Sequence, residues 1–114
     1  MKINERDKEY LLRMVEHCER IENVINRFGD SYKDFSKDQV YQDAINMNIF
    51  QIGEIANHLS EDFCEKVTNI SWMQIIGIRN IIAHGYIKID KKTIWDTVKD
   101  NIPDLKNKLN NILE

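Results

Sequence analysis

The stretch SKDQVYQDAINMNIFQIGEIANHL, Ser36 to Leu59, decides the fold. Tyr41, Ile45, Ile49, Ile52, Ile55 and Leu59 return at the spacing that lines up one face of a helix. Ser36 and Gln39 match an S-x-x-Q capping box, and Phe35 and Val40 occupy the positions of a hydrophobic staple. These signals predict a helix that begins at Ser36 and runs to about Leu59. Asp43, Met47, Phe50 and Glu54 form a second stripe at helical spacing. That stripe has two readings: a surface for a partner or a site, or a wide core filled by Met47 and Phe50 with the two acids in solvent.

Working outward, Leu11, Met14, Val15, Cys18, Ile21, Val24, Ile25 and Phe28 predict a first amphipathic helix from about Asp7 to Phe28, stopped by Gly29 and Asp30. Phe63 and Cys64 suggest a short extra turn. A motif helix follows, with Ser71 and Gln74 as capping box and Ile70 and Ile75 as staple, ending near Ala83 to Gly85. Asp90 caps a last helix that Pro103 should kink or split. Helices without a convincing strand can hide their apolar stripes only against one another. The expected fold is therefore all-α: one domain over residues 1–114, an antiparallel bundle of four to five helices.

The chain has 114 residues, 42% hydrophobic and 31% charged, which is the composition of a folded protein rather than a disordered one. A net charge of -3 argues against a broad basic surface, so any nucleic-acid contact must be local. The charged N-terminus and the absence of a membrane-length apolar run lead to an expectation of a cytoplasmic chain with no membrane partner. Cys18 and Cys64 form no C-x-x-C pair and read as packed, reduced thiols.

The chemistry gathers at Ile78-Arg79-Asn80-Ile81-Ile82-Ala83-His84-Gly85-Tyr86. On a helical wheel Arg79 falls inside the arc of Trp72, Ile75, Ile78 and Ile82. An unpaired guanidinium there is costly, so Arg79 needs a carboxylate such as Glu54 or Asp43, a water-lined cleft or an anionic ligand. Asn80 and His84 share another face with Met73 and Gly77. His17 and His58 lack such company and read as ordinary structural residues.

The pattern R-x4-H-x-Y, carried by Arg79, His84 and Tyr86, resembles the signature of the HepT-like ribonuclease toxins of the HEPN superfamily. The likeness extends to Ile52-Gly53-Glu54, Trp72, Ile89-Asp90, Ile94-Trp95 and Ile102-Pro103-Asp104-Leu105, with Ser71 where that family often has Pro. The resemblance implies a homodimer in which two motif helices face each other across a composite cleft. It further implies RNA cleavage without a metal or cofactor, and a nucleotidyltransferase antitoxin that transfers AMP onto Tyr86. In that frame Arg79 holds phosphate, His84 moves protons, and Asn80 and Glu54 support them. Lys88, Lys91 and Lys92 either add local positive charge or are simply solvated. The alternative is a non-catalytic helical module that docks a nucleotidyltransferase. A metal-bundle enzyme is disfavoured because paired Glu-x-x-His motifs are missing.

Overall fold

A computed structural model describes residues 2–84 and 90–114. The described residues form an all-α helical bundle: α1 (Glu5–Phe28), α2 (Tyr32–Ser36), α3 (Gln39–His58), α4 (Glu61–Lys66), α5 (Trp72–His84), α6 (Lys91–Asp96) and α7 (Ile102–Leu113). None of these helices is long and apolar enough to cross a membrane.

The first helix starts slightly earlier than its apolar pattern indicated, because the Asn4 side chain accepts a bond from the Asp7 N–H at 2.7 Å. It stops at Gly29, whose φ of 119° suits a residue without a Cβ. Asp7 is buried, and its carboxylate accepts bonds from the Ser60 N–H and hydroxyl at 3.0 and 2.6 Å. The start of α1 is thereby tied to the start of α4, the short turn expected around Phe63.

The expected start at Ser36 is corrected by the structure. Ser36 ends the separate helix α2, which Ser31 caps through the Asp34 N–H, while Asp38 caps α3 by accepting from the Val40 and Tyr41 N–H groups. The physical reason lies with Phe35. It is buried against Tyr41 and Trp95, with ring centroids 5.2 and 5.4 Å away, so it cannot staple onto Val40, which stays exposed. Gln42 then donates to the Phe35 and Ser36 carbonyls and closes the corner.

The principal apolar face of α3 is buried as expected, from Tyr41 through Ile45, Ile49, Ile52 and Ile55 to Leu59. Tyr10 stacks on His58, His17 meets Asn48 and Phe28 stacks on Tyr41, so α1 and α3 run antiparallel. Lys106 pairs with Glu22 and brings α7 to the other flank of α1. Between α6 and α7 the chain makes a π-helical turn over Thr97–Asn101, where the Ile102 N–H donates to the Thr97 carbonyl. Pro103 explains it: the ring lacks an N–H and crowds the carbonyl four residues back, so the helix widens by one residue and then resumes.

Gly53 is where α5 lies against α3. A Cβ on Gly53 would stand 2.2 Å from Arg79 Cβ and 3.2 Å from the Ile75 carbonyl oxygen, so only glycine permits this approach. Gly53→Ala is expected to lower stability by about 1–3 kcal/mol, because the Cβ forces the two helices apart. Gly77 has nothing within 4 Å of such a Cβ, and Gly77→Ala should gain about 0.5–1 kcal/mol of helix propensity. Opposite shifts of the urea midpoint would verify the pair.

Both cysteines are free, Cys18 buried and Cys64 half-buried. Burial, assisted by Glu22, pushes the Cys18 thiol up to about 12 from an ordinary 9. The unfolded chain therefore releases this proton first, and the contribution to stability present below pH 9 declines as pH rises toward 12. Iodoacetamide at a pH near 8 is expected to label Cys64 well before Cys18 in the folded chain. Denaturant should abolish the difference.

Candidate functional site

The Arg79 side chain lies at the crossing of α3 and α5, only 23% exposed. Its Nε and Nη2 both donate to Glu54 Oε1. Nη1 donates to Asn80 Oδ1 at 2.8 Å, and the guanidinium carbon lies 5.3 Å from the centre of the Phe50 ring. Of the two acids that could have met Arg79, the structure selects Glu54. Asp43 is exposed and accepts from Gln39 one turn earlier in the chain.

This arrangement follows from short-range constraints. Gly53 lets α5 come close enough for the Arg79 stem to cross the α3 backbone. Glu54, the next residue, then meets the guanidinium, and Phe50, one turn before Glu54, meets its flat face. A carboxylate on one edge of the fork leaves the remaining N–H groups for another anion or amide. Asn80 occupies one of those directions from a solvent-exposed position.

His84 is also exposed, at the last turn of α5. Its face of the helix carries Met73, Gly77 and Asn80, and Met73 is 83% exposed. The structure thus brings Arg79, Glu54, Asn80 and Phe50 together. It does not bring His84 into hydrogen-bond contact with them among the described residues; Asn80 stands one turn before His84 on the same helix. Tyr86 and Lys88 lie outside the described residues.

Lys91 and Lys92 are committed elsewhere. Lys91 donates to the Ser36 carbonyl at 3.2 Å, while Lys92 pairs with Asp96 at 2.9 Å and covers the Tyr32 ring. The carboxylate of Asp90 caps α6 as expected, and hydrogen bonds from Thr93 and the Lys92 N–H hold it below the usual range. His17 and His58 hold structural contacts with Asn48 and Tyr10.

Two features were invisible as roles in the sequence: Phe50 as the plate beneath Arg79, and Gly53 as the spacer that admits it. The signal existed in their i,i+4 and adjacent relation to Glu54. A separate, mostly apolar cavity of about 600 Å³ opens on another side of α5, lined by Ile49, Ile75, Ile78, Ile81, Asn101 and Lys108 among others. Among the described residues, Arg79, Asn80 and His84 do not line it.

The family model "Ribonuclease HepT-like" matches residues 14–112. A protein of Caldanaerobacter subterraneus subsp. tengcongensis named "Putative RNase TTE0752" is 31% identical over 107 residues, covering 94% of each chain. "Probable ribonuclease HepT" of Thermococcus cleftensis is 32% identical over 101 residues, covering 89% of this chain and 90% of its own. No solved structure matches the chain significantly. With the family model spanning all but the ends, and with Arg79 and His84 of the motif on the helix where the geometry gathers, the chain belongs to the HepT-like ribonuclease family.

Proposed function

We propose that this chain is an RNA endonuclease that cuts without a metal, using the 2′-hydroxyl of the substrate as nucleophile. The observation that carries this reading is the Arg79 fork, held on one edge by Glu54 and backed by Phe50, in the same helix as an exposed His84. A guanidinium fixed in this way suits the equatorial oxygens of a phosphate, where charge builds in the transition state. His84 takes the proton from the 2′-hydroxyl, whose oxygen attacks the adjacent phosphorus. The 5′-oxygen leaves and collects a proton from a second acid, giving a 2′,3′-cyclic phosphate and a 5′-hydroxyl.

One chain offers one such histidine, and it projects from a face with the exposed Met73 and a bare Gly77. A two-fold dimer through that face, extended by the exposed Met47 of α3, supplies His84 of the partner subunit as the second proton carrier. Family membership favours the same assembly. It also favours a toxin role, with a nucleotidyltransferase antitoxin adding AMP to Tyr86. A phosphate and a nucleoside joined to that residue, two positions past His84, would occupy the substrate's place.

The competing reading, a docking module without catalysis, draws on the same anion-holding geometry. Cleavage of RNA in EDTA by chain made without a partner separates them. Arg79→Ala and His84→Ala, both at incompletely buried positions, are each expected to lower cleavage by at least about 100-fold while the circular dichroism spectrum is kept. RNA carrying 2′-O-methyl groups should resist. Equal cutting of methylated and unmethylated RNA would overturn the 2′-hydroxyl mechanism, and no cutting by unmodified wild type would favour the docking module.

A further inference from the structure

Five arginines occur in the chain, and Arg79 is the only one outside α1. The others, Arg6, Arg13, Arg20 and Arg27, stand seven residues apart. Seven residues make almost two helical turns, so the four stems rise from one line along α1 at intervals of roughly 10 Å. Tyr10 and His17 follow Arg6 and Arg13 by four residues and join the same line. The acids of α1 outnumber its bases by one, and two of them, Glu9 and Glu16, stand one turn before Arg13 and Arg20 and border the arginine line. Within a chain of net charge -3, the four guanidinium groups nevertheless form a continuous ridge.

Contacts with α3 fix the direction in which the ridge faces. The Arg6 and Arg13 guanidinium carbons lie 5.6 and 5.9 Å from the centre of the Tyr10 ring, which stacks on His58 at 6.0 Å. His17 meets Asn48 at 2.9 Å. His58 is one turn beyond Glu54 on α3, so the Tyr10–His58 pair lies about 6 Å along that helix from the carboxylate that holds Arg79. The ridge and the motif thus border the same outer strip of α3, from opposite sides.

The arginines are also available. Glu9 and Glu16 precede Arg13 and Arg20 by four residues, a spacing that permits helical ion pairs. Among the described residues none of the four ridge arginines is in an ion pair, whereas six lysines elsewhere are. Arg6 and Arg13 instead fold over an aromatic ring, on the side toward α3.

We propose that this ridge is the track that holds a single RNA strand beyond the cut site, with phosphates on Arg6, Arg13 and Arg20 and a base against the Tyr10–His58 stack. The proposal rests on the reading of the chain as an RNA-cutting enzyme and extends it to where the rest of the substrate lies. Planar forks at intervals along a rod, interrupted by a stacked aromatic pair, fit the alternation of phosphates and bases in a single strand. An acidic protein surface would use the forks but not the stack. Glu9 and Glu16, on the far edge of the ridge, repel the strand from that side and confine it to the side facing α3.

The test uses the full chain and the triple variant R6Q/R13Q/R20Q, changed only at exposed positions, with circular dichroism as the check of folding. The probe is a 20-nucleotide, fully 2′-O-methylated single strand, which binds but is not cut. The variant is expected to bind at least tenfold more weakly, and the dependence of log affinity on log salt should flatten by about 2, from three lost phosphate contacts. R6K/R13K/R20K should restore most of the salt dependence. Unchanged affinity and slope in the glutamine variant would overturn the track and leave the ridge to a protein partner. A dinucleotide spans at most one of the three forks, so the triple variant should impair its cleavage much less than cleavage of a long strand. If wild type cuts neither a dinucleotide nor a long strand, the nuclease reading fails on its own, and the binding comparison still decides the track.

Discussion

The contact on which the site depends is the approach of α5 to α3 at Gly53. At that position the Arg79 stem lies where any larger residue would place its own Cβ. Helices usually pack 8–10 Å apart according to the side chains between them, and a glycine at the crossing lets them close further. Glu54 and Phe50 acquire their roles from that closeness. One is adjacent to the glycine in sequence and the other a turn before Glu54, so both face the same guanidinium.

The Arg79–Glu54 pair is half sheltered, and its purpose is better read as orientation than as stability. Taking a guanidinium partly out of water costs free energy that one carboxylate only approximately returns. A core stabilised for its own sake would place an aliphatic side chain there, as Ile75 and Ile78 do on the same helix. Holding one edge of the fork restricts the rotamers of a long side chain before any anion arrives, which is the preorganisation that the proposed phosphate contact would use.

Charge in this chain is organised by helix face rather than by total. Lys91, Lys99, Lys106 and Lys108 are engaged with carboxylates or carbonyls of other segments, and Lys92 with Asp96 one turn along its own helix. The α1 arginines have no such ion partners among the described residues and turn toward the α3 side instead. A bundle that buries one stripe of each helix leaves the flanking stripes to differ, and α1 has one flank against α7 at Glu22 and the other beside α3 at Tyr10 and His17.

By itself the sequence determined the elements that local chemistry dictates. Periodicity marked the buried faces of α1 and α3, Gly29 ended the first helix, Asp90 capped α6, and Pro103 announced the break before α7. The wheel placed Arg79 in an apolar arc and so required a partner, and the R-x4-H-x-Y spacing disclosed the family. Tertiary structure decided what competing local signals left open. The local pattern pointed to Ser36 as the cap, and the burial of Phe35 beside Tyr41 and Trp95 ended a separate short helix there and moved the cap of α3 to Asp38. Glu54 and Asp43 both offered a carboxylate, and the Gly53 crossing brought only Glu54 within reach. The number and spacing of arginines on α1 were legible, but the direction of their forks depended on Tyr10 meeting His58, forty-eight residues away. Local preferences extend over about one helical turn, and whatever depends on two helices meeting is fixed only when the bundle closes.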